Sequence, residues 1–152
     1  MTAASASLPF RVLGTAWIVG GGLTAAVTGP LSLEKGSWAA AFAVLIAGVA
    51  QYAIGVVQSA LASNPPSRRN VVGELVTWNA GSAAVIFGTV ITQPLIVDFG
   101  GLLLVIALAL MVVTVRGKSS GPAWAVWVYR LLLIVILVSI PIGLVLAHLR
   151  AG

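Results

Sequence analysis

Apolar residues in this chain come in five long runs, roughly 9–31, 38–62, 71–92, 96–115 and 122–149, divided by short polar breaks. A half-buried strand would alternate, and a soluble helix would show one apolar stripe; these runs are apolar on nearly all sides. Each is long enough for a helix rising about 1.5 Å per residue to cross a hydrocarbon layer about 30 Å thick. The pattern predicts an all-α integral membrane protein, with residues 1–152 forming a single domain of five transmembrane helices. A membrane β-barrel is excluded, because its segments would be about 10 residues long and alternating.

The breaks carry turn chemistry. Ser63–Asn70 reads SNPPSRRN and Arg116–Gly121 reads RGKSSG, two hydrophilic loops. The other two breaks are related to each other. Thr28–Gly36 reads TGPLSLEKG, and 64 positions later Thr92–Gly100 reads TQPLIVDFG. Thr, Pro, Leu and the final Gly are identical, Leu33 meets Val97, and the acid Glu34 meets the acid Asp98. Proline withholds a backbone donor and glycine permits unusual dihedrals, so each copy reads as the bend of a helical hairpin. Spans 1–2 and 3–4 are therefore predicted to be two parallel helical hairpins, a candidate internal repeat, with a fifth helix added. A second account of the likeness stays open: any two hairpins need Pro, Gly and an acid at the bend, and the similarity fades outside these nine residues.

Composition agrees with the class and charge adds an orientation. Of 152 residues, 60% are hydrophobic and 7% charged, against about a quarter charged in a soluble domain. Mean hydropathy is +1.12. The net charge of +5 comes from eight basic residues scattered at the ends of apolar runs, which is a topology signal and not a nucleic-acid face. Arg11, Arg68, Arg69, Arg116, Lys118 and a snorkelling Arg130 fall on one side, Lys35 and Arg150 on the other. The N-terminus is accordingly expected in the cytoplasm and the C-terminus outside. The first run exceeds signal-peptide length and is expected to be a retained span. A preference for Ala, Gly, Val, Leu and Arg suggests a bacterial inner membrane.

Several small-residue patterns suit helix association in lipid, where close backbone approach replaces the hydrophobic effect. Gly21, Ala25 and Thr28 share a face of span 1. Span 2 carries Gly48, Gln51, Gly55, Gln58 and Ala62, and span 3 carries Glu74, Thr77, Gly81, Ala84 and Gly88. From Leu102 to Val115 span 4 has no strongly polar side chain, and it is expected to be the most lipid-exposed helix.

Candidate chemistry is sparse. Ionisable groups inside a membrane are expensive, so Glu74 and Arg130 stand out. Counting depth from the cytoplasmic ends puts them with Gln51, Gln58 and Asn79 in an intramembrane polar cluster. Two readings are open: Glu74 and Arg130 form an ion pair extended by Gln58 and Asn79, or Arg130 snorkels while Glu74 caps the start of span 3. On the other side Glu34 and Asp98 form a candidate acidic pair, either a cation site or two ordinary turn residues. The chain has no cysteine and one histidine, His148, read as a solvated residue at a helix end, so no metal site and no cofactor is expected. No phosphate-binding loop, nucleophile elbow or metalloprotease motif is present, and no enzymatic activity is expected. The expected function is a small inner-membrane protein acting through helix packing, as an accessory subunit or a homo-oligomer, its partners being the bilayer and another membrane protein. The alternative is a small transporter or channel for a small or lipophilic solute.

Overall fold

The computed structural model describes residues 3–33, 35–61, 66–115 and 122–151. These residues are all-helical. They form five helices, each long and apolar enough to cross a membrane. We label them α1 (Ala3–Thr28), α2 (Gly36–Leu61), α3 (Arg68–Val90), α4 (Pro94–Thr114) and α5 (Ala123–Ala151). Helix α1 starts at Ala3, where the apolar pattern begins only near Pro9. Ala6 and Ser7 are buried, so packing recruits the small residues before the apolar run.

Local chemistry sets the other boundaries. Ser67 caps α3, its hydroxyl accepting the Asn70 backbone N–H at 3.2 Å. Arg68 and Arg69 therefore fill the first turn, and Glu74 lies in the second, so the reading of Glu74 as a helix cap is corrected. Pro94 opens α4, where its missing N–H is no loss. The bend before it is only three residues, Ile91–Gln93, closed by the Gln93 N–H donating to the Gly88 carbonyl at 2.8 Å. Asp98 thus belongs to α4 and not to a bend.

The two aligned nonapeptides play different parts. Thr28 ends α1 with an ordinary backbone and donates its hydroxyl to the Thr24 carbonyl. Its counterpart Thr92 takes a φ of 58°, in the left-handed region that a β-branched residue rarely enters. In the first connection it is Ser32 that goes left-handed, at 50°. Gly36 leaves room for the Thr28 side chain, whereas Gly100 lets α4 approach the Gly81 carbonyl of α3.

Glycine contacts join consecutive helices in antiparallel pairs. A Cβ on Gly14 would sit 2.9 Å from the Gly48 carbonyl oxygen, and one on Gly21 would sit 2.7 Å from Val44. Between α3 and α4, a Cβ on Gly81 would lie 2.9 Å from the Gly100 oxygen, and one on Gly88 would lie 2.9 Å from the Val97 nitrogen. Backbones this close leave no room for any side chain. Helix α4 is therefore well packed, with 39% of its most apolar window buried, against 17% for α1 and for α5. The expectation that span 4 is the most exposed is corrected: it is mostly aliphatic but meets α3 along a glycine seam.

Within α2, residues Ala43–Ala50 form a π-helical segment before the α-helix resumes at Gln51. Such segments are rare and tend to mark functional or strained places. Helix α5 packs through Tyr129, Leu133 and Ile136 and continues helical through Pro141.

Candidate functional site

The most polar part of the interior lies where α2 faces α3. Gln58 and Glu74 are 2% and 0% exposed. The Gln58 amide Nε2 donates to both carboxylate oxygens of Glu74, at 3.0 and 2.8 Å. Thr114, at the end of α4, directs its single hydroxyl proton to Glu74 Oε1 at 2.5 Å, with the Leu110 carbonyl oxygen a second, longer acceptor at 3.1 Å. Three helices thus meet on one carboxylate.

From this node a polar stripe runs toward the opposite end of the bundle. Glu74, Trp78 and Ser82 follow at four-residue steps on one face of α3, and Gln51 precedes Gln58 by two turns on one face of α2. Trp78, Ser82 and Gln51 are all 0% exposed. The helices run antiparallel and touch at Gln58–Glu74. Gln51, about 10 Å further along α2, is therefore level with the stretch between Trp78 and Ser82 on α3. Both amide atoms of Gln51, Gln58 Oε1, the Trp78 indole N–H and the Ser82 hydroxyl find no hydrogen-bond partner among the described residues. Each such buried group costs about 1–3 kcal/mol. Sequence reasoning named Gln51 and Gln58 but missed Trp78, Ser82 and Thr114; the four-residue spacing from Glu74 was the available signal for the first two.

The remaining candidates lie elsewhere. Asn79 points away from Glu74. Its Oδ1 accepts the Trp17 indole N–H at 2.7 Å, and its amide donates to the Leu75 carbonyl at 2.8 Å. Arg130 is exposed, and no ion pair with Glu74 forms among the described residues. Arg130 and the buried Tyr129 instead line a cavity of about 560 Å³ between α4 and α5, in which every other lining residue is aliphatic. None of Gln51, Gln58, Glu74 or Asn79 lines it. Of the acidic pair, Glu34 lies outside the described residues, as do Arg116, Lys118 and the side chain of His148. Lys35, the neighbour of Glu34, donates to Thr92 Oγ1 at 2.5 Å, so the two bends are adjacent.

Through these bonds a single side chain of α3 is tied to both α2 and α4. Among the described residues no three His, Cys, Asp or Glu side chains gather.

The chain matches no known family model, no curated protein and no solved structure.

Proposed function

We propose that this is a multi-pass protein of a bacterial inner membrane that works through helix packing, as an accessory subunit of a membrane complex or as a homo-oligomer. Its N-terminus is cytoplasmic and its C-terminus lies outside, with α1–α2 and α3–α4 forming two hairpins of like orientation. The supporting observation is the outward face of α1. The helix uses Gly14 and Gly21 to seat α2, yet Gly20 and Gly22 have nothing within 4 Å. Ala16 and Gly20 form one exposed small-xxx-small step and Gly22 and Ala26 another, flanking an exposed ridge of Val19 and Leu23. Steps of this kind let a second helix approach closely in lipid. The stripe glycines Gly48, Gly55, Gly81 and Gly88 of α2 and α3 meet neighbouring helices inside the monomer, whereas Gly20 and Gly22 leave α1 open to a partner.

Isolation from native membranes in mild detergent tests the reading. The wild type is expected to migrate with a partner or a second copy. Gly22→Leu, which meets nothing within the monomer, is expected to release it without loss of helicity. A wild-type chain that runs alone would sink the proposal.

The unpartnered stripe from Gln51 to Ser82 favours a second reading, a transporter or channel for a small solute, since polar groups at this depth mark pathways as well as helix contacts. Flux of small polar solutes in reconstituted vesicles, abolished by Gln51→Leu, would support it; wild-type vesicles no leakier than empty ones would refute it.

A further inference from the structure

We propose that the groove between α4 and α5 is a binding site for one anionic phospholipid, with an acyl chain along the groove and the headgroup phosphate on Arg130. The inference rests on the membrane-spanning reading above. Arg130 is the eighth residue of α5, about two turns into an apolar helix, where an unpaired guanidinium is costly. Among the described residues no acidic side chain pairs with it. Only three acidic side chains exist. Glu74 is fully buried and occupied by Gln58 and Thr114. Asp98 lies sixteen residues before Thr114 on α4, about 24 Å away along the helix. Lys35 bonds Thr92 at that same far end, and Glu34 lies outside the described residues.

An anion from outside the protein would match this charge, and the groove says what is attached to it. From Arg130 the cavity runs between Leu108, Ala109 and Val112 of α4 and Leu133, Ile134 and Leu137 of α5, about 10 Å along α5. A volume of about 560 Å³ with aliphatic walls suits a hydrocarbon chain and offers nothing to a polar solute. Guanidinium groups pair with phosphate in a two-pronged geometry, and Tyr129, its hydroxyl 3.4 Å from the Met111 carbonyl, closes the floor.

The test is retention of phosphatidylglycerol against phosphatidylcholine of identical chains by the full-length protein in mild detergent, read by mass spectrometry of the intact complex. The wild type is expected to keep one phosphatidylglycerol in preference. Arg130→Gln is expected to cut that preference about fivefold, the effect of one basic residue at an anionic surface. Arg130→Lys, which keeps the charge and loses the two-pronged geometry, should restore part of it, and Arg68→Gln should leave it unchanged. Ala109→Phe, which fills the groove, should lower retention of both lipids. Excess inorganic phosphate is expected to leave the bound lipid in place, separating a lipid site from a bare anion site. Equal retention of the two lipids by the wild type, or an unchanged preference in Arg130→Gln, overturns the site while leaving the spanning helices untouched. Recovery of the protein in the soluble fraction after an alkaline wash overturns both.

Discussion

Cutting the Gln58–Glu74 contact tests whether the polar node holds the bundle together. In Gln58→Leu the Glu74 carboxylate stays fully buried and keeps only Thr114. In Glu74→Leu the Gln58 amide, whose Oε1 already lacks a partner, loses its Nε2 acceptors too. Stranding a buried polar group costs about 1–3 kcal/mol, more when it is charged. Interhelical hydrogen bonds inside membranes run lower, averaging about 0.6 and reaching about 1.7 kcal/mol, because unfolded helices in lipid also find partners. Here one amide serves both oxygens of a carboxylate at 3.0 and 2.8 Å, so the upper end applies. The double variant Gln58→Leu, Glu74→Leu removes both groups together, and replacing a buried charged contact by apolar side chains is often nearly neutral. Equilibrium unfolding in mixed micelles should therefore give a coupling of about 1.5 kcal/mol, the double variant being more stable than the sum of the singles. Additivity within about 0.5 kcal/mol would refute the claim that this contact ties α2 to α3.

Other expectations follow from the same geometry. Gly81→Ala and Gly100→Ala should each destabilise by about 1–3 kcal/mol, since the new methyl meets backbone oxygen at 2.9 and 2.8 Å, while Gly20→Ala should change stability by less than about 1 kcal/mol; the same unfolding assay separates them, and equal costs would contradict the packing. Thr92→Asn should stabilise by about 1 kcal/mol, because asparagine enters the left-handed region readily and still offers Lys35 an acceptor; a lower midpoint for unfolding would count against it. Because the chain has no cysteine, single cysteines at Ser67 and Ser32, both exposed, should react with an impermeant thiol reagent from opposite faces of the membrane, Ser67→Cys from the cytoplasm. Labelling of both from one face would overturn the topology.

The five helices were legible because long apolar runs leave few alternatives. Gln58 and Glu74 were legible too, as polar residues that an apolar helix keeps only for a reason. Arg130 could not be placed from depth alone: a depth count says how far along a helix a residue sits, not which way it faces, and α5 turns Arg130 toward the α4 groove. Asn79 failed for the same reason, since one helical step beyond Trp78 carries it round to Trp17 of α1. Thr114 was hidden because threonine can satisfy its hydroxyl on the carbonyl one turn back, and here that carbonyl is only the second, longer acceptor after Glu74. The π-helical segment AVLIAGVA has no compositional mark at all.

Within a bilayer, apolar side chains gain little by leaving lipid for each other, so contact must be bought by close backbone approach or by hydrogen bonds. The chain uses both means, and within the pairs the Arg11–Tyr52 and Thr114–Glu74 bonds add to the glycine contacts. Glycine seams close α1 on α2 and α3 on α4. Across the two pairs the ties are polar: Gln58 to Glu74 near one end, Trp17 to Asn79 partway along, and Lys35 to Thr92 at the bends. Three bonds at three depths fix the register of one pair against the other, which no pattern of valines and leucines would do. Helix α5 makes little use of either device. No described glycine brings its backbone against another helix, and among the described residues its polar contact to α4 is the 3.4 Å bond from Tyr129 to the Met111 carbonyl. A helix held mainly by dispersion, beside a groove of about 560 Å³ that its neighbour does not fill, is incomplete without something apolar in that groove. The cation at the groove's end selects what that is.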